Sequence, residues 1–305
     1  MGRFKLSIGS WAYIFGPYES NPIPFDVVVR RLGELGFDGV EVAGFKPHVH
    51  PDDYPMKADR DALRALIKVN GLEVSGLAAD FWSGPPPASD EALKDDAYIK
   101  LFKKNLQLCV DLGAPAIRVD TVSPPDAEIP GVDRKTAWRR IAELWRECAE
   151  IASKFGVKVV WEFEPGFMFN KPSEVVGLVE EVNHPNFSVL FDTCHAYMCA
   201  VVGARQPEPK ETLKGGVAEF ARMLKGKIGH IHLIDSDGTL HDGETSTHRP
   251  FGEGLIDFDE VIPAIVEDAE YKGEWWTIDL CFWPQAWEVT AKAKEFLEPY
   301  LERYG

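Results

Sequence analysis

Short apolar runs and stretches of helical spacing alternate eight times along this chain. Strand-like runs fall at residues 4–10, 39–43, 72–80, 115–120, 157–162, 187–192, 227–233 and 275–280. Apolar residues at helical spacing follow at 25–35, 58–70, 91–112, 135–155, 172–182, 211–224, 257–271 and 286–302. Several of these stretches stop at a glycine (Gly36, Gly71, Gly113, Gly156), the residue that best accepts the left-handed turn closing a helix. A helix between two strands makes them parallel, and eight such units predict the α/β class and a closed (β/α)8 (TIM) barrel, one domain over residues 1–305. An open doubly wound sheet is the competing arrangement. It is disfavoured because no Gly-x-Gly-x-x-Gly follows the first strand. The loop-like stretches 21–24, 85–89, 124–131 and 235–253 all follow strand ends. They should therefore rim the C-terminal mouth, where barrel enzymes place their sites.

Four of the runs carry an ionisable residue at or near the C-terminal end: Val-Lys-Val-Val-Trp-Glu162, Phe-Ser-Val-Leu-Phe-Asp192, Ile-Gly-His-Ile-His232 and Trp-Trp-Thr-Ile-Asp279. A charge at the tip of a buried strand is costly unless something compensates it. One such acid would ordinarily cap a helix or pair with a lysine. Three carboxylates and an imidazole on four successive strands instead point to one shared divalent ion. Such an oxygen and nitrogen set suits manganese foremost, with magnesium, cobalt or zinc as the others.

The formal net charge of −16 argues against a nucleic-acid or anionic-membrane partner, both of which need basic patches. Five cysteines without Cys-x-x-Cys give no disulfide framework and suit a reducing, cytoplasmic setting. Cys194 and Cys199 read as buried small apolar residues. The N-terminus shows no signal-peptide apolar region, and no apolar run approaches the ~18 residues of a membrane span.

Longer motifs surround the four residues. Glu162 stands six residues after Phe155-Gly156, Leu-Phe-Asp192-Thr-Cys-His195-Ala is an Asp-x-x-His, and Gly-His230-Ile-His232-Leu-Ile-Asp235 is a His-x-His-x-x-Asp. Phe251-Gly252-Glu253-Gly254-Leu-Ile-Asp257-Phe is a Gly-x-Gly turn before a helix. In this combination, over its whole length, the chain resembles the xylose-isomerase-like barrel superfamily. That group includes sugar isomerases, ketose 3-epimerases such as tagatose 3-epimerase, keto-inositol dehydratases and endonuclease IV. The resemblance implies Glu162, Asp192, His232 and Asp279 as metal ligands, with His195 facing substrate. One departure stands out: the family's fourth ligand is commonly glutamate, and Asp279 is shorter by one C–C bond, about 1.5 Å. In the epimerases the first and fourth carboxylates also serve as paired acid and base, so the shorter arm bears on that geometry. The arginine some epimerases carry six residues after the strand-seven histidine is Gly238 here, and Arg249 is its expected substitute.

Glu164, two residues past Glu162, competes for the ligand role; the glycine spacing favours Glu162 and leaves Glu164 to the substrate. His230 shares a face with His232 and is expected beside the ligand or the substrate. Glu41 and Arg118 are expected to pair with each other inside the barrel, near Asp120, His48 and His50. Trp11, Tyr13, Phe15, Phe81, Trp82, Phe167, Phe169, Phe282, Trp283 and Trp287 follow or end strands. They either form core under the mouth or bind a sugar ring or an attached aromatic group, with Trp11, Trp82 and Trp283 as the substrate-binding candidates.

The expected activity is a sugar isomerase or epimerase that removes the proton next to a carbonyl polarised by the ion. Glu162 is the base, and Asp279 or His195 its partner. The alternative is a lyase, dehydratase or deglycosidase that eliminates a β-substituent from a keto-sugar, 3-keto-glycoside or keto-inositol. The expected partner is a small sugar or glycoside, with a homo-oligomer or accessory subunit left open. A multi-metal phosphoesterase would need more histidine ligands and a basic face. A non-catalytic sugar-binding barrel would bind without turnover.

Overall fold

In a computed structural model that describes residues 4–304, ten strands form. They are β1 (Lys5–Gly9), β2 (Gly39–Ala43), β3 (Glu73–Ala78), β4 (Ala116–Val119), β5 (Lys158–Glu162), β6 (Phe187–Asp192), β7 (Ile228–Leu233), β8 (Asp235–His241), β9 (Thr245–Arg249) and β10 (Trp275–Ile278). Eight of them close a barrel in the order β1-β10-β7-β6-β5-β4-β3-β2. Closure comes from β1, which pairs in parallel with β10 (Lys5 opposite Trp275) and with β2 (Ser7 opposite Gly39). The expected (β/α)8 barrel is the fold. The domain limits read from the sequence, residues 1 and 305, lie outside the described residues.

The register sets the mouth. Between β6 and β7 the pairing slips by one residue at Val189/Leu190, after which Asp192 lies opposite His232. A one-residue shift exchanges the two faces of a strand, so this irregularity brings the carboxylate and the imidazole to the same side. Thr277 of β10 lies opposite His232 on the other flank, and Asp279 follows two residues on.

Helices at Phe25–Glu34, Lys57–Val69, Ala97–Leu112, Arg134–Ser153, Pro172–Val182, Gly216–Met223, Phe258–Pro263 and Ala286–Tyr304 surround the strands. Large aromatics fill the layer between: Trp145 meets Trp161 at 5.3 Å between ring centroids and stacks on Phe187 at 5.7 Å. Each such side chain contributes about 1.5–3 kcal/mol on burial. Gly113, at φ +79°, ends the Ala97–Leu112 helix, and a Cβ there would also lie 3.0 Å from Arg64.

The structure departs from the sequence reading in two places. The helix expected over 91–112 breaks, because Asp95 and Asp96 both take positive φ (52° and 55°), which a right-handed helix does not admit. The stretch 235–253, read as loop, contains the antiparallel hairpin β8–β9, with Asp235 opposite Arg249 and His241 opposite Thr245. Asp242 and Gly243 turn it, at φ 49° and 75°, and the Asp-Gly pair is a hairpin signal the sequence does carry.

Candidate active site

Each of the four strand ends delivers its residue to the barrel axis. Glu162, Asp192, His232 and Asp279 are no more than 5% exposed, and one donor atom from each lies within 4.8 Å of the other three. Trp11 Nε1 and the backbone N of Cys281 donate to Asp279 Oδ1, at 2.9 and 2.8 Å. Arg118 forms an ion pair with Glu162 Oε2. His232 Nδ1 stands 3.2 Å from Glu162 Oε1 and 3.5 Å from Asp279 Oδ2, while Nε2 turns to Glu41 at 3.1 Å. Asp192 Oδ1 accepts from the backbone N of His195 at 2.8 Å, capping the short helix Thr193–Tyr197.

Two buried atoms of this cluster, Asp192 Oδ2 and His232 Nδ1, make no hydrogen bond. A buried polar atom without a partner costs about 1–3 kcal/mol, and both atoms belong to the set that converges. Burial, then the charge of Asp279, raises the Asp192 carboxyl well above the carboxylate range. Burial would also raise Glu162, but Arg118 and then His232 bring it down to about 2. A cation amid these oxygens would relieve the crowding. Three carboxylates and one imidazole could hold a divalent ion, and the residues present fit it.

Glu41 is where the structure corrects the expected ion pair. It does not meet Arg118; its Oε2 takes both His230 Nε2, at 2.6 Å, and His232 Nε2, at 3.1 Å. Burial would raise its carboxyl, but the two imidazoles hold it far below the usual range. Arg118 instead pairs with Glu162 and with Asp120, the latter at 3.1 Å. The barrel interior thus keeps its charges matched by different neighbours than strand order suggests.

Above the cluster opens a cavity of about 1090 Å³ whose wall includes Glu162, Glu164, His195, His232 and Asp279. Glu164 accepts from Thr245 Oγ1 at 2.5 Å and lies 3.4 Å from His195 Nε2. Burial, opposed by the Thr245 bond and aided by the Glu162 charge, pushes its carboxyl up to about 8. His195 Nδ1 meets Ser246 Oγ at 2.8 Å, and burial, then His248, lowers its ring to about 3.

Of the aromatics expected to face substrate, Trp11 lines the cavity with its ring 5.2 Å from that of His232. Trp82 lines the mouth, 58% exposed. Phe15, Phe45, Phe167 and Phe282 join them, whereas Tyr13, Phe81 and Phe169 are fully buried core.

Three residues expected at the substrate are not on the cavity wall. His230 is turned away to Glu41 and to Thr277 at 3.2 Å. Arg249 donates to Asp237 at 2.6 Å and lies over the Trp283 ring at 5.2 Å, so an ion pair and a cation–π contact occupy both. Asp235 serves the fold, accepting from the backbone N of Gly252, Gly254 and Ile256 at 3.0 Å each. Cys194 and Cys199 are buried free thiols, as expected. The hairpin residues Thr245, Ser246 and His248 were not expected at the site. Their spacing Thr-Ser-Thr-His is uninformative, and only the Asp-Gly turn hinted at the element that carries them.

Among the described residues, no helix is long and apolar enough to cross a membrane. The chain is 24% identical over 258 residues to fructoselysine 3-epimerase of Escherichia coli, covering 82% of this chain and 84% of that protein. It is 22% identical over 300 residues to an inosose dehydratase of Bacillus cereus, covering 90% and 89%. A crystal structure of the IOLI protein with a bound zinc atom shares the fold at a TM-score of 0.72 and 18% identity, over 99% of both chains. The family described as xylose isomerase-like TIM barrel matches residues 29–299. With that span, the shared barrel and the relatives' common length, the chain belongs to the xylose isomerase-like TIM barrel family.

Proposed function

We propose that this protein is a divalent-metal-dependent enzyme that enolises a keto-sugar and then expels a substituent from the carbon β to the carbonyl. The observation that carries this reading is the convergence of Glu162, Asp192, His232 and Asp279 within 4.8 Å beneath the cavity. When bound, the ion supplies Lewis-acid polarisation of a substrate carbonyl. In this reading manganese or zinc suits the oxygen-and-nitrogen donors, and the zinc of the IOLI structure lends zinc its support.

The choice of exit follows from how two carboxylates are held. Epimerisation needs a proton carrier on each face of the substrate. Asp279 has the shorter arm, and its Oδ1 already takes Trp11 and Cys281. Glu162 has Oε2 committed to Arg118. We therefore give both the ligand role alone. Glu164 and His195, 3.4 Å apart on the cavity wall, remain to pass a proton to a departing oxygen. Elimination needs one base and one such acid, and this pair supports it over epimerisation. Epimerisation stays as the second reading, supported by the likeness to fructoselysine 3-epimerase. Five free cysteines fit a reducing compartment, and a cytoplasmic location is part of the proposal.

Mass analysis of products tests the choice. Mn²⁺-loaded protein is incubated in D₂O with keto-sugars and 3-keto-glycosides. Loss of water or of an aglycone is expected; a product of unchanged composition carrying one deuterium would establish epimerisation instead.

A further inference from the structure

The hairpin β8–β9 is absent from the eightfold repeat, yet its second strand touches the site at successive residues. Thr245 holds Glu164 and Ser246 holds His195, and the carbonyl of Thr247 accepts from Cys194 Sγ at 3.3 Å. His248 is different. It is 3% exposed and lines the cavity, but neither ring nitrogen has a hydrogen-bond partner. Its Nε2 stands 3.9 Å from Asp192 Oδ2, and its ring packs edge-on against His195 at 4.9 Å between centroids. A buried imidazole with both nitrogens unmet costs about 1–3 kcal/mol for each group. Other polar side chains on this wall have found partners. Glu162 has Arg118, Asp279 has Trp11, Glu164 has Thr245 and His195 has Ser246.

We infer that His248 is a catalytic residue, contributed by the hairpin, that takes the proton from the carbon next to the substrate carbonyl. The inference rests on the enolisation reading above. Apart from the proposed ligand His232, it assigns the base to the buried imidazole on the wall that has neither ring nitrogen hydrogen-bonded. The carbon–hydrogen bond breaks, its electron pair forms the carbon–carbon double bond of an enediolate, and the proton goes to a His248 nitrogen. When the carbonyl re-forms, the enediolate's carbon–carbon pair moves to make the double bond between the α and β carbons, and the β carbon–oxygen bond breaks with its electron pair leaving on the departing oxygen. That oxygen takes a proton from the Glu164–His195 pair, which the adjacent His248 proton restores. No oxidant or second substrate enters, and protons balance over the cycle.

The test compares wild type, His248→Asn and His248→Gly, each titrated with Mn²⁺ by calorimetry and assayed by NMR for solvent-deuterium exchange into D-tagatose and methyl 3-keto-β-glucoside. Both variants should bind Mn²⁺ with wild-type stoichiometry and affinity. Exchange should fall about 100-fold or more, the scale of a lost general base. In His248→Gly, free imidazole should restore exchange in proportion to its concentration, which a merely structural role does not predict. Exchange within about threefold of wild type, loss of Mn²⁺ in step with exchange, or no response to imidazole would each overturn the assignment. Wild type that binds Mn²⁺ but exchanges neither sugar overturns the enolisation reading, and this inference with it.

Discussion

Replacing Glu41 by glutamine probes the interior with little change of shape. Glu41 is 1% exposed, and one of its oxygens serves both His230 at 2.6 Å and His232 at 3.1 Å. An amide oxygen can keep both contacts but loses the charge. Hydrogen bonds to charged groups contribute about 1 kcal/mol more than neutral ones, so two of them amount to about 2 kcal/mol. With an unfolding entropy of about 2.1 cal/mol/K per residue over 305 residues, the metal-free protein should melt about 3 °C lower. The larger effect falls on the proposed ion. The carboxylate fixes Nε2 of His232 as the donor and leaves Nδ1 facing Glu162 and Asp279. Losing such a partner costs about 10–100-fold in metal affinity, or about 1.4–2.7 kcal/mol. Calorimetric titration of wild type and Glu41→Gln with Mn²⁺ or Zn²⁺ measures this directly. An affinity within twofold of wild type, with an unchanged melting temperature, would refute both the orienting role and the energy assigned to it.

Three further outcomes are expected. Mn²⁺ at about 100 times its dissociation constant should stabilise the fold by about 2.7 kcal/mol, roughly 4 °C at this chain length; in Asp192→Asn, scanning calorimetry should find that shift largely gone. His195→Ala should retain the ion but lose much of its turnover, because the ring faces Glu164 and the cavity; metal loss parallel to activity loss would make His195 a ligand. His48 is buried, and that burial, only partly offset by its bond to the Ile23 carbonyl, lowers its pKa from 6.5 to about 4. The folded state therefore resists the proton that the unfolded chain accepts, so stability falls as pH drops from about 6.5 to 4, by about 3 kcal/mol in all. Urea unfolding at pH 7 and pH 4.5 should show a smaller decline in His48→Gln than in wild type, and equal declines would contradict this account.

Much of the site was legible because a barrel strand ends where its apolar run ends. Glu162 and Asp192 are the last residues of β5 and β6, His232 the penultimate residue of β7, and Asp279 follows β10 directly. Parallel neighbours must then present these tips to a common mouth. The hairpin was not legible in the same way. Its strands are polar and only partly buried, so period-two hydrophobicity is weak there, and the Asp242-Gly243 turn was the one clear mark. Partners across the barrel were also hidden. Glu41 and His230 are 189 residues apart, and nothing local tells Glu41 to choose two histidines over Arg118.

By itself, then, the sequence determined eight βα units, the parallel closed sheet they imply and the four ionisable residues at its mouth. Backbone periodicity and glycine caps are local properties of the chain, written within each segment. The tertiary structure decided which atoms meet. The slip between Val189 and Leu190 sets Asp192 beside His232, Trp11 restrains Asp279, and the hairpin brings His248 over the cavity with its nitrogens free. Such pairings depend on register and side-chain packing between distant segments, and a shift of one residue in either would exchange the buried face for the other.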